Sequence, residues 1–214
     1  MFKVTSVEPQ KKSASRRTKR FNIFLDGEFA FGADEDLVVN RRLVIGKIIT
    51  PEDMEKILYE AEIGKLMEKM YRWFGLRQHS EKEVKDYFRN KTFSQLVVDA
   101  VIEVLKKKGM VNDLEFAKAW VEARRRSKQK GIRAIKAELF QKGIDKEIIE
   151  EVISHQSSVI SEEELAKQAL EKKMKVWKNL DPKRLYQKSI EFLLRKGFEY
   201  ENVKEAVEKI FKKE

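Results

Sequence analysis

Hydrophobic positions change their period once along this chain. Over the first fifty or so residues they alternate roughly, as in FKVTSVEP and in RFNIFLDGEFAFG, where Phe21, Ile23 and Leu25 precede Asp26-Gly27 and Phe29 and Phe31 follow it. Alternation around an Asp-Gly pair predicts two strands joined by a tight hairpin turn. Thr50-Pro51-Glu52-Asp53 then offers a helix N-cap, a proline at the first helical position and acids in the first turn. The helix that starts there leads into the remaining chain.

From about Glu62 onward the period is helical. Ile63, Leu66, Met67, Met70, Tyr71 and Phe74 recur at helical spacing, so they predict one buried stripe, which Gly75 ends. Ser80 with Glu83 makes a capping box before Val84, Tyr87 and Phe88, and Val97, Val98, Val101, Ile102 and Leu105 predict a third helix closed by three lysines and Gly109. The same grammar returns twice. Asn112 with Glu115 caps a stripe of Phe116, Ala117, Trp120 and Val121, followed by Ile132, Ile135, Leu139 and Phe140, then Ile148, Ile149, Val152 and Ile153. Ser161 with Glu164 opens the last group, Asp181-Pro182 opens its second helix, and Val203, Ala206, Val207, Ile210 and Phe211 finish it.

The middle helices of the three groups look alike: SEKEVKDYFRNKTF (80–93), GIRAIKAELFQKGI (131–144) and RLYQKSIEFLLRKGF (184–198). Aligning Lys91-Thr92-Phe93 with Lys142-Gly143-Ile144 and Lys196-Gly197-Phe198 superposes Val98, Ile149 and Val203, a repeat of about fifty residues. The expected fold is therefore mainly α: three tandem three-helix repeats at 62–111, 112–157 and 158–214, behind a strand-containing region at 1–61. Stacked units of this kind suggest an elongated, curved array.

Composition adds a polyanionic partner to this picture. The 214 residues carry a formal charge of +10 with 38% charged side chains, and the 42% hydrophobic content is enough for ordinary cores. The strongest local concentration is RRRSKQKGIRAIK, with Arg124, Arg125, Arg126, Lys128, Lys130, Arg133 and Lys136 and no acid among them. It crosses a helix end, a short loop and the first turn of the next helix, whose free N–H groups at Gly131 add partial positive charge; phosphates or acidic side chains are its expected ligands. A second basic stretch, KKSASRRTKR, brings Lys11, Lys12, Arg16, Arg17, Lys19 and Arg20 to a loop between the predicted strands.

Other residues read more plainly. Trp73, Trp120 and Trp177 fall in apolar stripes and are expected in cores, as are Tyr87, Phe88, Phe140 and Phe198. His79 and His155 are expected as polar helix ends, and the acids at 34–36 and 162–164 as partners of helix dipoles. No phosphate-cradling glycine loop, nucleophile elbow or zinc spacing is present, so neither a cofactor nor catalysis is expected. Absence of cysteine agrees with a reducing compartment. With no membrane-length apolar run and no signal-peptide core, a cytoplasmic protein that leaves membranes alone is expected.

Taken in order, SEKEVKDYFRNKTF, VNDLEFAKAWVEARRR with GIRAIKAELFQKGI, and FLLRKGF resemble the successive signatures of the RecX family of RecA regulators. The clearest element is Gly131, Ile135, Glu138, Leu139, Lys142, Gly143 and Ile144, and the likeness spans roughly residues 62–211. Thr92 and Ile132 depart from it, standing where Gly and Pro are frequent. The resemblance implies a non-enzymatic, negative modulator that lies along the groove of the RecA–DNA filament and restrains ATPase and strand exchange. Its implied partners are the RecA filament and, through the basic faces, single- or double-stranded DNA, with the protein itself a monomer. A general nucleic-acid-binding helical scaffold and a helix-turn-helix regulator are the competing readings, the latter disfavoured because GIRAIKAELFQKG offers few base-reading side chains.

Overall fold

Asp26 and Gly27 adopt φ of 50° and 94°, the left-handed pair whose twist matches that of the strands it joins. The computed structural model, which describes residues 1–10, 19–156, 161–177 and 180–211, places this turn between β2 (Arg20–Leu25) and β3 (Glu28–Asp34). β1 (Phe2–Pro9) pairs antiparallel with β2, and the short β4 (Ile48–Ile49) pairs antiparallel with β1, giving the order β3-β2-β1-β4. Alternation buries one face: Val4, Ile23, Leu25, Phe31 and Ala33 join Leu37 from α1 (Glu35–Asn40) in a single core. Asp34 ends β3 and caps α1, its Oδ1 accepting the Leu37 N–H at 2.8 Å.

Thr50 and Pro51 start α2 (Pro51–Phe74) as expected, with Thr50 Oγ1 accepting from the Asp53 N–H at 3.1 Å. The helix passes residue 61 unbroken. Its first half gives Ile57 and Ala61 to the sheet's core, and its second half buries Leu66, Met67 and Met70. Tyr71 departs from the predicted stripe and is 37% exposed. Eight residues at 100° each overshoot two turns by 80°, enough to carry it off the face that Ile63 begins.

Met1–Gln78 and Tyr87–Val111 form one compact unit, and His79–Asp86 and Asn112–Glu214 form the other, so α3 (Glu81–Arg89) begins in the second and ends in the first. In the first unit, Trp73 lies against Tyr87 with ring centroids 4.9 Å apart, and Ser94 caps α4 (Gln95–Lys107), which buries Val97, Val98, Val101, Ile102 and Leu105.

The second unit holds α5 (Asp113–Lys128), α6 (Ile132–Gln141), α7 (Lys146–Gln156), α8 (Glu162–Met174), α9 (Pro182–Arg195) and α10 (Tyr200–Phe211). Asn112, Ser161 and Asp181 cap α5, α8 and α9 through the N–H groups of Glu115, Glu164 and Arg184. The predicted stripes make two cores, one around Phe116, Val121, Ile135, Leu139 and Ile149, the other around Leu165, Leu170, Leu193, Phe198 and Val203. Phe140 is a correction: it is 71% exposed. Five residues beyond Ile135 it points about 140° away from the buried face.

Candidate partner interface

The basic run divides into paired and unpaired cations. Glu138, on α6, receives the Arg124 Nε at 2.7 Å, the Trp120 Nε1 at 2.8 Å and the Lys130 ammonium on its other oxygen. Burial raises the Glu138 pKa, but the hydrogen bonds from Lys130, Arg124 and Trp120 outweigh it and hold the carboxyl below its usual range. The Arg124 guanidinium also lies over the Trp120 ring, 3.9 Å from its centroid. Lys136 pairs with Glu150 at 2.7 Å. Arg125 is buried, with only 9% of its surface exposed, and pairs with Glu162. Arg126, Lys128 and Arg133 remain exposed and make no ion pair among the described residues.

Two expectations change accordingly. Reversing Arg124, Arg125 and Arg126 together would remove two structural ion pairs, so that combination does not leave the fold intact. The N-terminus of α6 is also closed to an outside phosphate: the Gly131 N–H donates to Lys196 O at 3.0 Å, Ile132 N–H to Glu162 Oε2 at 3.0 Å, and Arg133 N–H to Gly197 O at 3.1 Å. The protein itself fills the anion site that a free helix N-terminus would offer.

That closure belongs to a joint that occurs twice in this unit. The N-terminus of α6 sits on the C-terminal turn of α9 at Lys196-Gly197, and the N-terminus of α3 sits likewise on the C-terminal turn of α6 at Lys142-Gly143. There Ser80 Oγ donates to Lys142 O at 2.7 Å and the Glu81 N–H donates to Asp113 Oδ1 at 2.9 Å. Asp113 and Glu162 each open the first helix of a predicted repeat, and each caps a middle helix from the repeat before. Both glycines have positive φ, 77° and 85°. A Cβ on Gly143 would fall 2.6 Å from the Lys82 side chain, and one on Gly197 would fall 2.4 Å from the Ala134 backbone nitrogen. The recurring short helix is thus a set of helices laid end to end.

The other predicted residues are scattered. Lys11, Lys12, Arg16 and Arg17 lie outside the described residues; Lys19 is exposed. Arg20 is not a loop residue: it begins β2, is buried, donates to Gly32 O at 3.2 Å and lies 3.8 Å from Glu68. Trp120 and Trp177 sit half-buried at core edges, Trp120 stacked on Phe116 and Trp177 edge-on to Phe192. His79 is buried with Nδ1 3.0 Å from Glu83 Oε2, whereas His155 is an exposed helix end as expected. Lys172 and Lys196 escaped the sequence reading because neither lies in the basic run. The repeated Lys-Gly pair was the available signal for Lys196.

A sheet-bearing N-terminal region followed by linked three-helix units has counterparts among known proteins. Residues 2–50 match the N-terminal domain of regulatory protein RecX, 112–153 its second three-helix domain and 161–207 its third. These matches define a regulatory protein built from three-helix domains. A regulatory protein RecX of Listeria monocytogenes is 34% identical over 205 residues, covering 96% of this chain and 74% of the relative. One of Bacillus subtilis is 35% identical over 207 residues, covering 97% and 76%. The chain belongs to the RecX family. A crystal structure of a regulatory protein RecX shares the fold, with a TM-score of 0.73 over 100% of both chains at 24% identity. Among the described residues no helix is long and apolar enough to cross a membrane.

Proposed function

We propose that the protein is a negative modulator of the RecA recombinase, binding as a monomer along the groove of the RecA–DNA filament in the cytoplasm and restraining ATPase and strand exchange without catalysis of its own. Membership in a family of regulatory proteins supports the regulatory role. The observation that carries the contact is the exposure of Arg126, Lys128 and Arg133 with no ion pair among the described residues. Exposed cations of this kind speed encounter with a polyanionic assembly and fix its register. The mechanism is steric and electrostatic: helical units bridge neighbouring protomers, and a bridged filament neither cycles nor extends freely.

The test is RecA's single-stranded-DNA-dependent ATPase with sub-stoichiometric additions of the protein, beside its DNA affinity at the same salt. Inhibition at concentrations where free DNA is poorly bound is expected. Reversing Arg126, Lys128 and Arg133 to Glu should raise the half-inhibiting concentration roughly tenfold or more with an unchanged unfolding midpoint. Inhibition only where the protein coats DNA, in a steeply salt-dependent way, would replace this reading with that of a general nucleic-acid binder.

A further inference from the structure

The two joints contain the same lysine in two electrostatic settings. Lys142 Nζ lies 2.5 Å from the Glu83 carboxylate. Counting from the helix caps Ser80 and Gly131, the residue equivalent to Glu83 in the second joint is Ala134. Lys196 Nζ therefore has no carboxylate there and donates to the backbone carbonyls of Lys128 and Gln129, the latter at 3.3 Å. Carbonyls satisfy its protons but leave its charge. Burial first, and then the ammonium groups of Lys130, Lys172 and Lys128, hold the Lys196 pKa below the usual lysine range. Of these neighbours Lys130 alone is paired, with the Glu138 carboxylate that Arg124 also uses. Lys128 and Lys172 are exposed.

Like charges gathered this way repel one another, and a bound anion removes that repulsion. A single carboxylate suffices for one lysine, as Glu83 does for Lys142. Several ammonium groups around one place suit a compact anion with more charge and more acceptor oxygens, which a phosphate supplies. We propose that Lys128, Lys172 and Lys196 form a phosphate-binding site where α8 and α9 meet the turn between α5 and α6. The site deepens the function proposed above and rests on it only for the ligand's source, a strand phosphodiester or a nucleoside polyphosphate. Lys172 and Lys196 come from the last repeat and Lys128 from the one before, so the site exists only when the second joint is closed.

Two variants of the full chain test it. Lys172→Gln removes an exposed ammonium, and Ala134→Glu gives the second joint the acid that the first already has. Binding is read by fluorescence anisotropy with a labelled oligodeoxythymidylate and, separately, with labelled ATP, and an acidic polyglutamate peptide serves as the carboxylate probe. Both variants should weaken a phosphate probe about tenfold near 0.1 M salt and flatten the salt dependence by about one phosphate contact, with unfolding midpoints no lower than wild type. Loss for both phosphate probes supports a site for phosphate in general, and loss for the oligonucleotide alone supports the strand. Unchanged binding of both phosphate probes overturns the proposal, as does weakening of the polyglutamate peptide equal to that of the phosphate probes. Should Ala134→Glu fail to fold, Lys172→Gln decides the matter. Because RecA is absent from these measurements, phosphate binding without RecA inhibition would sustain the site and sink the reading above, and the converse result would do the opposite.

Discussion

The joint between the starts of α3 and α5 and the end of α6, and the joint between the starts of α6 and α8 and the end of α9, are built to one plan and finished differently. In both, an acid opening the following repeat's first helix caps a middle helix, and a left-handed glycine lets that helix approach. In the first, Asp113 does the capping and Glu83 neutralises the lysine. In the second, Glu162 caps and also holds the buried Arg125, while the lysine is left among other lysines. Backbone complementarity is what the scaffold repeats, and charge compensation is what it varies. Where a repeated structure drops a neutralising partner, the surplus charge is available for binding.

The largest expected effect comes from breaking the feature found only in the second joint. Glu162→Ala takes the carboxylate from a buried guanidinium and the cap from α6, and should lower stability by about 3–5 kcal/mol in urea unfolding. Asp113→Ala at the first joint should lower it by only about 1 kcal/mol; equal losses would deny that the joints differ. Next in size are the glycines. Gly197→Ala meets backbone atoms as well as a positive φ and should cost about 2–3 kcal/mol. Gly143→Ala meets a flexible lysine side chain and should cost about 1 kcal/mol. Gly131→Ala isolates the steric part, since Gly131 has φ of −74° while its Cβ would fall 2.4 Å from Gly197 O.

The smallest effect is a pH dependence. The Glu138 pKa is lowered in the folded chain, so between that value and the ordinary 4.5 the unfolded chain binds the extra proton and stability rises with pH. This contribution is present above about pH 4.5 and lost as pH falls through the folded value. Acid titrations of the wild type and Glu138→Gln should converge at low pH and separate above it. Parallel curves would remove Glu138 as the titrating group.

Much of the architecture was legible in residue order because it rests on local rules. The hairpin at Asp26-Gly27, the caps at Thr50, Ser80, Asn112, Ser161 and Asp181, and most of the helical stripes depend on neighbours within a few positions. The exceptions, Tyr71 and Phe140, lie at stripe edges, where a small angular drift decides between core and solvent. The seven cations of 124–136 were equally visible as residues, yet which of them face a partner was not. Glu138, Glu150 and Glu162 lie on other turns or helices, and charge pairing at a distance leaves no mark in local composition.

Residue order by itself determined the period of each segment, the helix ends, the threefold repetition and the resemblance to RecX proteins, because propensity, capping and amphipathic spacing act over one or two turns. Only the tertiary structure decided that Arg125 is an internal clamp, that the N-terminus of α6 is occupied, and that Lys196 faces three lysines instead of an acid. Those outcomes depend on pairs more than thirty residues apart, and Coulomb and hydrogen-bond energies follow distance in space, which the sequence states only after the chain has folded.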